Sequence, residues 1–430
     1  MFPNFIIRKA STQLIDIGVA VLVTAIITTV VKNFVSGEKK IRKRIPRQYD
    51  AKDLQFERSM SQLLGPPILG GNCVTSLVNG DKIFAAMLEG IESAIKTITF
   101  ETFIYWTGAV SDKFAEALAA KARAGVRVHV LIDGVGCNCI KGNAVSTMRQ
   151  AGVEVEVYHI QNLARANHRT HRKLLVIDGK LGFTGGVGIA DQWSGDAKNP
   201  EHWRDTHYRV EGPVVAQLQA AFLDNWMKTR AVVLHGNDYF PLLEDSGKLR
   251  CQMFKSSPME GSESARLMFL MSITAADQHI RIGNAYFVPD DLSIRALIDA
   301  SQRGVKVEVI VPGDHLDSYL VRGASRHRWG NLLKEGIRIF EYIPTMYHCK
   351  LMIVDDLWVS VGSANFDNRS FRLNDEANLN IIDQEFAQTA ILSFEDDKKR
   401  CREVTWSDWA NRPMIKKVFD ASTGILRSQL

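Results

Sequence analysis

The chain has 430 residues, 46 % hydrophobic and 23 % charged, which supplies apolar material for two buried cores and excludes a wholly disordered protein. Its net charge of +5 is unevenly placed: residues 1–47 carry nine basic and two acidic side chains, a net of +7, which leaves −2 for the rest. A body of net negative charge is a poor general polyanion binder, so no nucleic acid is expected as partner.

Ile17 to Val31 reads IGVAVLVTAIITTVV, an uncharged run flanked by Leu14 and Ile15 before it and Phe34 and Val35 after it. With these flanks it approaches the roughly 20 residues that span a bilayer, so an N-terminal membrane-anchor helix is expected. Lys32, Lys39, Lys40, Arg42, Lys43, Arg44 and Arg47 follow the run, against Arg8 and Lys9 before it. Basic flanks stay on the cytoplasmic side, which predicts a cell inner membrane protein with its body facing the cytoplasm. The same cluster opposes export through a secretory signal and suits anionic lipid headgroups. Residues 1–60 are read as this anchor and basic collar.

Beyond residue 60, helical patterns alternate with β-branched runs, and the runs recur. AGVRVHVLIDG ending at Gly134 matches RGVKVEVIVPG ending at Gly313, and AGVEVEVYHI from Ala151 matches EGIRIFEYIP from Glu335. The repeat is domain-sized, so the expected fold is α/β with two pseudo-repeated lobes, 61–245 and 246–430, each a mixed β-sheet flanked by helices. Phe103, Tyr105 and Trp106, with Tyr286 and Phe287 in the second half, follow apolar strand patterns and are expected mainly in the core, with an acyl-chain groove near the site as the alternative. The six dispersed cysteines read as free thiols of a reducing compartment, and Cys137 with Cys139 is too isolated a pair for a zinc site.

Each half contains His-x-Lys-x-x-x-x-Asp: His171, Lys173 and Asp178 in HRKLLVID, then His348, Lys350 and Asp355 in HCKLMIVD. Roughly 0.05 matches are expected by chance in a chain of this length, so the second copy is the signal. On a strand, positions i and i+2 share a face, so each histidine presents its imidazole beside an ammonium. That pairing repels a metal cation and suits a phosphate oxygen, so no metal and no cofactor is expected. The aspartates complete the motif at strand ends, where a carboxylate holds a turn. Shortly past each aspartate comes a small-residue turn, Gly185-Gly186-Val187-Gly188 or Gly362-Ser363-Ala364-Asn365. Ser363 and Asn365 can donate to anionic oxygens.

These motifs resemble those of the phospholipase D superfamily, and GSANFDNRSFRLNDE, running to Glu376, resembles its bacterial cardiolipin synthase branch. The resemblance implies a phosphatidyltransferase on an anionic phospholipid substrate, transferring a phosphatidyl group between phosphatidylglycerol molecules. It implies His171 as nucleophile forming a phosphohistidine, and His348 as general acid and then base. Lys173, Lys350 and Asn365 would bind phosphate, and Glu376 and Asp205 fall where the family places the carboxylates that orient the histidines. Gly188 stands where the family pattern has Asn, which implies a lopsided phosphate cradle. The alternatives are a hydrolytic phospholipase D and, more remotely, a nuclease or other phosphodiesterase of the same superfamily.

Overall fold

A computed structural model of the chain describes residues 18–25, 28, 41, 43–137, 143–158, 167–257 and 264–425. Of the expected anchor, residues 18–25 are helical (α1), with Val19, Val21, Leu22 and Val23 exposed; the rest of the Ile17–Val31 run, apart from residue 28, lies outside the described residues. Among the described residues no helix is long and apolar enough to cross a membrane. The described end of the collar packs on the second half. Ile41, Ile45 and Tyr49 cover its core, Arg44 pairs with Asp299, and Arg47 meets Asp277 at 2.8 Å.

After α2 (Leu54–Leu64), capped by the Asp53 carboxylate, the first half runs β1 (Leu69–Val78), α3 (Asn79–Ser93), β2 (Thr97–Thr102), α4 (Ala109–Arg123), β3 (Arg127–Asp133), α5 (Asn143–Gln150), β4 (Glu154–Tyr158), β5 (Arg169–Thr170), β6 (Leu174–Ile177), β7 (Leu181–Gly185), β8 (Thr206–Glu211) and α6 (Val215–Arg230). The second half repeats this as β9 (Leu249–Ser256), α7 (Ser264–Ala275), β10 (His279–Asn284), α8 (Asp291–Gln302), β11 (Lys306–Pro312), α9 (Tyr319–Lys334), β12 (Arg338–Tyr342), β13 (Lys350–Val354), β14 (Trp358–Gly362), α10 (Asn368–Arg372), β15 (Asn374–Ile382) and α11 (Gln384–Lys399). Then β16 (Cys401–Val404), α12 (Trp406–Ala410) and α13 (Met414–Ile425) close the described chain.

The strand order is β16-β12-β11-β10-β13-β14-β15-β9-β1-β8-β7-β6-β2-β3-β4. Reading outward from the β9–β1 junction gives the same permutation in both directions, so the two halves are related by a pseudo-two-fold. Within each, three parallel strands carry crossover helices and the motif strand joins them antiparallel.

The expectation of one sheet per lobe is corrected here: antiparallel pairing of β1 with β9 fuses both into one continuous sheet. Two clusters do core the separate halves, one around Phe100, Phe114 and Val130, the other around Ile280, Val309 and Trp329. A third is shared. Val176, Phe222 and Trp226 from the first half pack with Met253, Ile353 and Leu379 from the second. Continuous apolar runs such as Leu174–Ile177 and Trp358–Gly362 are buried throughout because helices and the opposite half cover both faces.

Candidate active site

The residue before each motif histidine enters the other half's territory. β5 pairs in parallel with Asn374 and Asp375 of β15, and the His171 N–H donates to the Asp375 carbonyl at 2.9 Å. The second half does the same: Tyr347 bridges Arg204, and the His348 N–H donates to the Arg204 carbonyl at 2.8 Å. Each histidine is therefore delivered beside the carboxylate that follows in the opposite half.

His171 Nδ1 lies 3.0 Å from both carboxylate oxygens of Glu376. His348 Nδ1 lies 2.7 Å from Asp205 Oδ2. Register identifies the two acids as counterparts, since Gly185 faces His207 on β8 and Gly362 faces Asn378 on β15, each two residues past its acid. The partners are exchanged between halves.

Glu376 is further held by Ser363 Oγ at 2.5 Å, Ser370 Oγ at 2.7 Å and Asn374 Nδ2 at 3.2 Å. Asp205 accepts instead from Trp193 Nε1 at 3.0 Å and from the Thr206 N–H at 2.8 Å. Where Ser363 reaches Glu376, Gly186 leaves no room for a side chain: a Cβ there would lie 2.5 and 2.7 Å from the Asp205 oxygens. Ser363 thus acts on His171 through Glu376.

Lys173 Nζ donates to the His171 carbonyl at 2.6 Å, and Lys350 Nζ to the His348 carbonyl at 2.7 Å. Lys350 Nζ also lies 3.0 and 3.2 Å from the two ring nitrogens of His348. The charge of Lys350 is felt at both His171 and Lys173, and that of Glu376 at Lys350, so the two motifs share one electrostatic site. Burial drives His171 down to about 4, only partly opposed by Glu376, so the ring is neutral at physiological pH. Burial, reinforced by Lys350, lowers His348 as well. Burial lowers Lys173 to about 7 and also lowers Lys350. Glu376 is pushed up by burial, yet the hydrogen bonds from His171 and Ser363 and the Lys173 ammonium hold it well below its ordinary range, and the hydrogen bond from His348 does the same for Asp205. A carboxylate against a neutral imidazole fixes the proton on Nδ1 and presents the Nε2 lone pair to the site.

The two motif aspartates, Asp178 and Asp355, stand apart from this cluster, at the strand ends where a turn-holding carboxylate was expected. Asp178 accepts from the N–H groups of Ile95, Lys96 and Thr97 at 2.9, 2.7 and 2.8 Å. Asp355 accepts from Asp277, Gln278 and His279 at 2.7, 2.7 and 3.0 Å. Both are left-handed at φ 52° and lie five residues beyond the lysines, roughly 16 Å along a strand. They tie the motif strand to its antiparallel neighbour, β6 to β2 and β13 to β10.

Asn365 is buried, and its Oδ1 has no hydrogen-bond partner among the described residues. Its counterpart Gly188 packs so closely that a Cβ would lie 2.6 Å from Ile104 Cβ.

A family described as cardiolipin synthase, PLD-like domain, matches residues 87–226 and 269–398, one match per half. The chain belongs to this family. It is 36 % identical over 353 residues to cardiolipin synthase A of Pseudomonas fluorescens, covering 81 % of this chain and 73 % of the relative. It is 32 % identical over 369 residues to cardiolipin synthase 1 of Bacillus anthracis, covering 83 % and 72 %. Phosphatidylserine synthase of Haemophilus influenzae shares the fold, with a TM-score of 0.64 at 13 % identity over 87 % of this chain and 100 % of that one.

Several residues around the site of this cardiolipin synthase family member carry no motif. Phe103, expected in the core, is only half-buried and packs edge-on against His171 at 5.1 Å, with Lys173 Nζ 5.5 Å from its ring centre. Trp193 and Trp203 pack against His348 at 5.1 and 5.5 Å. Arg172 and Cys349 alternate away from the site. Arg172 is fully buried and bonds Asp224 at 3.0 Å, while Arg204 forms a bidentate pair with Asp397 at 2.8 Å. Cys73, Cys251, Cys349 and Cys401 are free, but Cys137 is disulfide-bonded, against the expectation of free thiols throughout.

Proposed function

We propose that this chain is a membrane-associated phosphatidyltransferase of the cardiolipin synthase type, joining two phosphatidylglycerol molecules through a phosphohistidine. The observation that carries this reading is the exchanged pair of histidine–carboxylate couples with two lysines in one field. His171, neutral and with its Nδ1 proton committed to Glu376, attacks phosphorus through Nε2. The P–O bond to one headgroup glycerol breaks, and His348 gives that alkoxide its proton. A phosphatidyl group is then held on His171 through a P–N bond. The free hydroxyl of a second phosphatidylglycerol gives its proton to His348 and attacks phosphorus, the P–N bond breaks, and cardiolipin and glycerol are released. Lys173, Lys350 and Asn365 would neutralise charge on the non-bridging oxygens.

Lys350 also supplies a switch. Burial, and then its ammonium, lower the proton affinity of His348. A phosphodiester anion on Lys350 would offset the ammonium's share and raise that affinity when an acid is needed.

In this reading residues 61–245 and 246–430 are the two half-sites, and residues 1–60 anchor the body at the inner membrane on its cytoplasmic side. The similarity to cardiolipin synthases supports the substrate. The test is incubation of the full chain with phosphatidylglycerol in detergent micelles, with products identified by mass spectrometry. Cardiolipin with glycerol is expected, and His171→Ala or His348→Ala abolishes both. Phosphatidic acid as the sole product would make the chain a hydrolase, and near-normal turnover by either variant would overturn the two-histidine mechanism.

A further inference from the structure

Helix α13 is built inside out. At 100° per residue Met414, Val418 and Ile425 lie on one face with Ile415 and Phe419 beside them, and these five side chains are 72, 62, 78, 80 and 40 % exposed. The opposite face, Asp420, Thr423 and Gly424, is buried. Asp420 accepts from Arg326 at 3.0 Å and Arg412 at 2.9 Å. Close approach to α9 rests on glycines: a Cβ on Gly323 would lie 2.5 Å from Thr423 Oγ1, and one on Gly424 2.7 Å from the His327 ring. A tightly fitted seam, polar apart from the edge of the Phe419 ring against Gly323, therefore fixes the helix with its apolar stripe outward, and among the described residues nothing covers Met414, Ile415, Val418 and Ile425. A helix packed only to bury its own apolar face would be rotated half a turn.

The stripe continues onto the first turn of α9, where Tyr319 and Leu320 are 70 and 48 % exposed. They directly follow Asp317 and Ser318, which line one cavity with Tyr286 and Met346, the latter two residues before His348. The apolar patch thus adjoins a cavity whose wall reaches to within two residues of the motif histidine. Lys416 and Lys417 stand at its two borders, the position from which long cationic side chains reach headgroups while the stripe enters the acyl region.

We propose that α13, with the first turn of α9, is a docking surface for a bilayer containing anionic phospholipid, seating the mouth of the site against the headgroups. This rests on the reading above that the substrates are membrane phospholipids.

The test uses the full chain carrying Val418→Cys labelled with an environment-sensitive fluorophore. Leu392→Cys, at a position 70 % exposed on α11, serves as the reference, and the unsubstituted chain, labelled alike, gives the background. Vesicles of equal phosphatidylcholine and phosphatidylglycerol are expected to raise emission at position 418 about twofold with a blue shift and to leave position 392 unchanged. No response at 418, or an equal response at both positions, overturns the proposal. An equal response to pure phosphatidylcholine overturns its anionic requirement, and a concentration-dependent signal without vesicles assigns the face to a second copy instead. Ile415→Glu with Val418→Glu should lower turnover in vesicles roughly tenfold while turnover in detergent micelles stays within about twofold. Equal loss in both media would overturn docking. If the unsubstituted chain turns over no phospholipid, the functional reading fails and the fluorescence still decides the docking.

Discussion

Glu376→Gln isolates the exchange of partners between the halves. Glu376 accepts from four side chains, His171, Ser363, Ser370 and Asn374, and all of them treat it as an acceptor only. Glutamine keeps the shape, removes the charge and puts an NH2 group where one accepting oxygen stood. If that NH2 faces His171, the ring proton moves to Nε2 and the lone pair that attacks phosphorus is lost. If it faces the serines, a buried hydroxyl loses its acceptor at a cost of about 1–3 kcal/mol. Loss of an orienting carboxylate in a comparable dyad costs roughly 10³–10⁴-fold in rate, about 4–5 kcal/mol of barrier. Turnover of phosphatidylglycerol by Glu376→Gln should fall by that factor while the circular dichroism spectrum is retained. The companion Asp205→Asn acts on His348, the proposed acid. An aryl phosphodiester, whose phenolate leaves without protonation, should therefore restore the first-step burst of Asp205→Asn and leave Glu376→Gln inactive. Rescue of Glu376→Gln instead, or turnover by it within about threefold of the unsubstituted chain, would refute both the assignment and the exchange.

Three further outcomes are expected. Gly186→Ala places a Cβ 2.5 Å from an Asp205 oxygen and so displaces the carboxylate from His348; turnover should fall by about 10²-fold at a stability cost of about 1–3 kcal/mol, read from urea unfolding beside the rate assay. Asp178→Ala removes the acceptor of three backbone N–H groups and leaves a left-handed residue without its side chain; it should unfold at lower denaturant by several kcal/mol, with turnover per folded molecule within about threefold. Burial holds both His171 and His207 at about 4 against an ordinary 6.5. Between those values the unfolded chain binds more protons than the folded one, so stability falls as pH drops from 6.5 towards 4. Each histidine contributes at most about 1.4 kcal/mol per pH unit, and His207→Asn should lower the measured slope by up to that amount.

The fold was legible where the sequence repeats itself. The recurring β-branched runs are β3, β4, β11 and β12, and their shared order in the two halves is what a duplicated α/β unit requires. The site was legible as a residue list because chemistry constrains residue type at fixed spacing. What stayed hidden was which acid serves which histidine, because β5–β15 pairing and the Arg204–Tyr347 bridge cross between halves at a sequence separation of more than a hundred residues. Fusion of the sheets was hidden for the same reason: nothing in Leu69–Val78 marks Leu249–Ser256 as its partner. Trp193 and Trp203 sit in an irregular segment with no periodicity to read. Glu101 left one trace, an acid within the apolar strand ITFETF. It is fully buried, held by Thr170 and Asn225, and burial raises it to about 7.

The pseudo-two-fold is broken where the proposed chemistry needs its two histidines to differ. His171 is clamped by both oxygens of a glutamate that two serines and an asparagine immobilise, and burial keeps it neutral far below physiological pH. Such a ring is suited to attack and ill suited to carry a proton. His348 has a single 2.7 Å contact to an aspartate one methylene shorter, and its ring lies against Lys350. Burial and then that ammonium lower its proton affinity, so a phosphate placed on Lys350 would raise it. Burial lowers both rings, so the asymmetry lies in their partners, and it fits the proposed assignment of His171 as nucleophile and His348 as acid without any difference in residue type. Because each environment is built by the opposite half, neither motif is complete alone, and the fused sheet and shared core are what make the two half-sites one.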